Sequence, residues 1–279
     1  MVKRPAETVL RTGMLLAAVV AIAIPLGIIA FILVGILTHA LPEGIFTLGG
    51  SYSLVPMMLS SLMLVGVTLA LAVPVGIAAA IYLSEFSTQG RLYRLVQLAV
   101  DTLAGIPPIL YGLYGLFIFS RAMGMRQSIL AGGCTLAVMI LPVVIRTVES
   151  TLKDVPVELR RGAIALGASR YNVLRHIVLP GAGPGILAAI LRSIGRIVGE
   201  AAPVLLTVGV ARNLPQGLLH SSRTLSVHLY YTAQEAVLHQ EYGAAYVTAG
   251  ILISVTITMH LAARLLRRRL HGKNQREVE

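Results

Sequence analysis

The stretch LRSIGRIVGEAAPVLL, residues 191–206, is apolar enough to sit in hydrocarbon, yet it carries Arg192, Arg196 and Glu200 at four-residue spacing. Each step of four advances about 40° around an α-helix, so the three charges share one face. A charge facing lipid costs at least about 2.5–3.5 kcal/mol, so intramembrane charges usually face protein or water. Two chemistries fit: a structural Arg–Glu pair at a helix interface, and a polar route for an anion. Glu200 neutralises one arginine and leaves positive charge over. Arginine also offers five donors in a fixed fork suited to oxyanion oxygens. The surplus favours the route. Gly195 and Gly199 admit a close neighbouring helix. Pro203 cannot donate to the carbonyl of Gly199, which weakens the helix beside Glu200.

Other residues carry less. Arg146, in LPVVIRTVES, is either an arginine snorkelling to an interface or part of the same route. Asp101 lies in an apolar run and is a candidate partner for one of the arginines. In GIPPILYG, Pro107 and Pro108 imply a break in a span, either a structural kink or a moving element. Cys134 is the one cysteine, so no internal disulfide forms, and the seven histidines lack zinc-type spacing. No metal or cofactor is expected. The absence of a G-x-x-x-x-G-K-[ST] sequence rules out ATP binding by a P-loop in this chain. Without a nucleophile–base pair or paired acids in the spans, bond chemistry is not expected either, and energy for transport would come from another polypeptide.

These residues sit on membrane helices. The chain of 279 residues is 56% hydrophobic and only 13% charged, with mean hydropathy +0.81; soluble domains carry about 25% charge. Six runs are long enough to span a bilayer: 12–37, 57–83, 95–120, 128–145, 185–209 and 244–266. The first is too long for a signal-peptide core and is read as a retained helix. Trp is absent, so tyrosines would form any aromatic belt. With the N-terminus inside, 17 of the 23 Lys and Arg residues fall in cytoplasmic segments and 4 outside, which places both termini in the cytoplasm. The basic tail then anchors to anionic lipid. Topology accounts for the net charge of +11, so no nucleic-acid role is needed. The expectation is an all-α, polytopic membrane protein forming one permease domain over 1–279. An outer connection at 210–243 could form a short interfacial helix or face an extracytoplasmic partner.

The inner connection, 146–184, is more informative. VPVELRRGAIALGASRYNVLRHIVLPGAGPGIL (155–187) has the grammar helix, glycine, helix, proline. Gly167 suits a left-handed helix cap. A second helix runs from Tyr171 to Val178, and Pro180 and Pro184 are expected to stop it. Gly162, Ala163 and Ala165 give the first helix a flat face for docking, although an ordinary basic amphipathic loop fits equally well. The segment resembles the EAA loop of ABC importer permeases: E-A-A, three residues, G, nine residues, I, one residue, L-P. Here Arg161, Gly162 and Ala163, then Gly167, Ile177, Leu179 and Pro180, keep every spacing, with two of the three opening letters changed. Further stretches, LAGIPPILYGLYGL (103–116), LPVVIRTVESTLKDVP (141–156) and RIVGEAAPVLLT (196–207), resemble PstA-type phosphate permease subunits.

That resemblance implies the type I (MetI-like) importer permease fold in the bacterial inner membrane. It implies a coupling helix that docks into a P-loop ATP-binding subunit, present in two copies. A homologous second permease subunit and an extracytoplasmic phosphate-binding protein complete the assembly. It also implies a phosphate pathway that includes Arg196 and Glu200, with Arg192 beside them, and it favours Arg146 as a pathway residue. Family members carry Glu where this chain has Arg161. Glu158, one turn earlier on a neighbouring face, is expected to take the acidic role. A permease for another oxyanion is the alternative within the class. A membrane-embedded enzyme or ion-driven carrier is the alternative outside it, and the loop spacing weighs against both of these.

Overall fold

The computed structural model describes residues 23, 25–38, 53–87, 90–239 and 242–276, with side chains to residue 265. The described residues are helical, without strands. In chain order the helices are α1 (Pro25–Thr38), α2 (Val55–Ile81), α3 (Arg91–Gly105), α4 (Pro108–Gly115), α5 (Ile129–Lys153), α6 (Val157–Ala165), α7 (Arg170–Val173), α8 (Leu179–Gly199), α9 (Ala202–Thr207), α10 (Leu225–His239) and α11 (Gly243–Arg276).

Helix α5 is the centre. Its most apolar window is 67% buried, against 33% for those of α2 and α8 and 17% for that of α11. Ser128 caps it, accepting from the Ala131 amide at 3.2 Å, so an orphan donor of the first turn is satisfied. Small residues let α2 close on it: a Cβ at Gly76 would sit 2.6 Å from Val144, and one at Gly133 2.4 Å from Val67. Leu64, Leu136, Ile140, Val144, Val148 and Ile197 fill this core. The outer faces of α2 and α11 stay apolar and exposed in the single chain, as suits lipid or a second subunit.

The six expected spans are redrawn. Residues 12–22 and 24 of the run 12–37 lie outside the described residues, and α1, which covers 25–37 of it, is a short apolar helix. Among the described residues four helices are long and apolar enough to cross a bilayer, five if the pair Arg91–Gly105 and Pro108–Ala122 counts as one span bent by 101°. The run 95–120 is therefore not straight. Pro107 precedes α4 in extended geometry, with φ −57° and ψ 139°, and residues before a proline avoid the helical region. The run 185–209 also breaks: α8 ends at Gly199 and α9 starts at Ala202. Conversely, Pro180 and Pro184 do not stop the chain, because Arg170–Gly199 is one 30-residue helical span. Pro180 occupies the first turn of α8, just after a widened π turn at Leu174–Val178. That turn shifts the carbonyls its ring would otherwise strike.

Both ends of the bundle are fixed by contacts. The amides of Ser128 and Leu130, at the start of α5, donate to the carbonyls of Thr207 (2.9 Å) and Leu218 (2.8 Å). The end of α5 leads into the α6–α7 hairpin. The hairpin end and the α9–α10 end therefore lie at opposite poles.

Candidate functional site

At the α9–α10 end, Glu200 leaves the helix with φ −79° and ψ 118°. The expected weakened turn is thus a full break. Its carbonyl, freed from the helix ladder, accepts from Ser226 Oγ at 2.8 Å, so the break is not left unsatisfied. Arg196 Nε lies 3.5 Å from Glu200 Oε1, with side chains 42% and 17% exposed. Arg192 is half-buried one turn before. Gly195 meets α11, where a Cβ would lie 3.2 Å from His260, while Gly199 has nothing within 4 Å and so carries no helix contact in this chain. The α3–α4 bend comes to the same place. The Tyr111 hydroxyl donates to the Leu103 carbonyl at 2.6 Å, bridging the bend, and Tyr111 is within electrostatic reach of Arg196. A Cβ on Gly112 would sit 2.7 Å from the Pro203 Cα, so α4 is seated directly on α9.

Toward the hairpin end, Arg146 is not a lone snorkelling arginine. Its guanidinium donates to Asp101 on α3 and lies 3.9 Å from Glu149 on its own helix. Glu149 is buried and accepts from Lys153 Nζ at 2.7 Å and from Gln97 Nε2 at 3.1 and 3.2 Å. The sequence suggested Asp101 as a partner without saying of which arginine. It missed Glu149, although the i, i+3 and i, i+4 spacing of Arg146, Glu149 and Lys153 marks one helix face. Among the described residues no ion pair joins the Arg146 group to the Arg196–Glu200 pair.

The hairpin itself is organised by local rules. Helix α6 buries none of its residues. Gly167 sits at φ +89°, its amide donates to Ile164 (2.9 Å), and the Ala168 amide donates to Ala163 (3.0 Å). This is a Schellman cap, which needs a left-handed residue there. Ser169 then caps α7 through the Asn172 amide at 3.3 Å. Ala163, Ile177 and Leu179 pack against the core, whereas Glu158, Arg161, Gly162, Gly167 and Pro180 face outward. Leu159, Ile164 and Leu166 are exposed beside them, Leu166 at 91%. One anchor escaped the sequence: Arg160 Nη1 pairs with Glu85 at 2.5 Å and Nη2 donates to the Leu152 carbonyl. Glu85 lies in the widened turn that ends α2, 75 residues away, so nothing in sequence spacing signals it.

A second polar cluster was also missed. Arg223 and His228 are buried. Arg223 stacks on the Tyr231 ring at 4.4 Å and its Nε donates to the Val210 carbonyl at 3.2 Å. Its Nη1 and His228 Nδ1 lack hydrogen-bond partners among the described residues. Burial, and then the charges of Arg223 and Arg212, push the His228 pKa down to about 4. Burial and Arg212 likewise lower that of Arg223.

Residues 72–272 match the family described as binding-protein-dependent transport system inner membrane component. The chain belongs to that family. It is 35% identical over 219 residues to the phosphate transport system permease protein PstA 1 of Mycobacterium tuberculosis (strain CDC 1551 / Oshkosh), covering 78% of this chain and 71% of the relative. A probable ABC transporter permease protein, YqgI, of Bacillus subtilis (strain 168) is 24% identical over 271 residues, covering 88% and 92%. In fold, the chain is similar to a permease chain of a bacterial ABC transporter involved in import of the acidic polysaccharide alginate, at TM-score 0.69 and 16% identity, over 95% of this chain and 96% of that one.

A transport-system inner membrane component is a multi-pass membrane protein rather than an enzyme, and the apolar helices of this chain accord with that. All four residue groups described above, from Glu85 to His228, fall within the matched segment.

Proposed function

We propose that this chain is the permease subunit of an ATP-driven inorganic phosphate importer, lining half of the translocation route. The observation that carries it is the Arg196–Glu200 pair at the broken end of α8, a guanidinium 42% exposed and only loosely held at 3.5 Å. An arginine so placed has donors left for a passing oxyanion. The relative named for phosphate transport supports phosphate as that anion. Arg192 and Arg146 extend the route. Both termini face the cytoplasm.

In this proposal α6 is the coupling helix. Its lack of any buried residue, its exposed Leu159, Ile164 and Leu166 and its rigid Gly167 cap suit insertion into a groove of a P-loop ATP-binding subunit. Two such subunits, a homologous second permease and an extracytoplasmic phosphate-binding protein complete the machine. Glu158, exposed in the first turn of α6, supplies the acid that Arg161 cannot. Replacement by Ala should weaken ATPase assembly, and unaltered assembly and uptake would remove that role.

The deciding experiment is uptake of radiolabelled phosphate by vesicles containing the chain and its partners, with unlabelled sulfate as competitor. ATP-dependent uptake that sulfate does not suppress supports the proposal. Uptake of sulfate in place of phosphate moves the chain to another oxyanion. Orientation is checked separately: a cysteine at Ser169 should resist an impermeant thiol reagent from outside, and one at an exposed position of the 210–243 connection, such as Asn213 or Leu219, should react.

A further inference from the structure

Arg146 lies between two carboxylates of opposite character. Glu149 is fixed: its side chain is 5% exposed and it is held by Gln97 and Lys153. Asp101 is 64% exposed and stands on α3, which ends four residues later at the 101° bend. The charges of Asp101, Arg146, Glu149 and Lys153 alternate and sum to zero. While Asp101 is in place, Arg146 has no net positive charge to offer.

A carboxylate and a phosphate present similar oxygens to the same guanidinium fork, so one can replace the other. We propose that Asp101 is an internal counter-anion that occupies Arg146 until the transported oxyanion displaces it, and so sets the affinity of this step, given that Arg146 belongs to the oxyanion route proposed above. Of the two acids only Asp101 suits exchange. It is open on one side in the single chain, so it can leave Arg146 without unseating a neighbour, whereas removing the buried Glu149 would strand Lys153 and the Gln97 amide. The fixed acid keeps Arg146 from binding phosphate too tightly to release it. The exchangeable acid keeps the guanidinium from standing empty between cycles. Displacement also frees α3 at the bend beside the Tyr111 clasp, so anion arrival and movement of the broken span share one contact.

The test is binding of [32P]orthophosphate to the assembled transporter without its binding protein, by equilibrium dialysis. Asp101→Asn and Asp101→Ser remove the competing charge and should bind phosphate roughly two- to fivefold more tightly, the range for an ion pair this exposed. Asp101→Glu keeps the competitor and should bind as the unaltered protein does. Adding Arg146→Gln to Asp101→Asn should abolish the gain, which a general change in surface charge would not do. Unchanged or weaker binding in both neutral variants, with uptake abolished by Arg146→Gln alone, would overturn the counter-anion and leave Arg146 in the route. Normal uptake by Arg146→Gln would remove both.

Discussion

The two poles of the bundle handle charge in opposite ways. Toward the hairpin, acids and bases alternate: Asp101, Arg146, Glu149 and Lys153 form one balanced chain, and Glu85 closes on Arg160 at 2.5 Å. At the α9–α10 pole Arg212 has Glu235 at 2.8 Å, Arg196 has Glu200 only at 3.5 Å, and Arg223 is buried with a carbonyl and a ring in place of a carboxylate. A buried cation without a directly bonded carboxylate is costly, and Glu235 reaches Arg223 only through space, so this pole keeps an attraction for anions. The hairpin pole instead shows an unburied helix, with Leu159 and Ile164 exposed beside Glu158 and Arg161. In the function proposed above, the α9–α10 end draws in the anion, and the hairpin end passes it by Arg146 and grips the ATP-binding subunit.

The largest effect that would break this contrast is at Arg196. Arg196→Ala should reduce phosphate uptake to that of vesicles without the permease, while the complex still co-purifies. Arg196→Lys keeps the charge but not the fork and should keep part of the rate. If Arg196 and Glu200 form only a structural pair, Arg196→Ala with Glu200→Ala should restore uptake, since removing both partners of a loosely held, part-exposed pair leaves no unpaired charge and costs little. Continued inactivity in an assembled double variant sharpens the anion assignment.

Next comes the hairpin. At φ +89° Gly167 admits a β-branched residue only under strain, although its surroundings are open. Gly167→Val should cost about 1–3 kcal/mol locally and misplace α6, so transport-coupled ATP hydrolysis falls while the protein still inserts. Normal coupled hydrolysis would refute docking through α6.

A smaller effect belongs to His228. Its folded pKa, about 4, lies below the ordinary 6.5, so the unfolded state binds the proton first as pH falls. The stabilising contribution is complete above about pH 6.5 and is lost between there and pH 4, by at most about 3 kcal/mol. Thermal unfolding of the complex should shift accordingly, and His228→Gln should flatten the profile over that window. The smallest effect is Glu85→Gln. This loses one ion pair while Arg160 keeps the Leu152 carbonyl, at a cost of about 1 kcal/mol in unfolding. A larger fall in ATPase association would show that the clamp also aims α6.

Features written in neighbouring residues were legible in the sequence. Hydropathy gave the membrane class and most of the span positions, because burial in lipid is a sum over local composition. Gly167 announced its own cap, since few other residues adopt that backbone, and the loop spacing marked the family before any helix was placed. Pro107 and Pro108 marked a break in the third span without its 101° angle, which depends on α4 seating against α9 at Gly112 and Pro203. Pro180 and Pro184 misled, because the widened turn before them restored a helix that proline alone would end. The partners of charge were decided only in three dimensions. Asp101 meets Arg146 across 45 residues, Glu85 meets Arg160 across 75, and the His228 pKa falls because folding buries it near Arg223. Such pairings follow from which helix faces which, and a local pattern of residues does not contain that information.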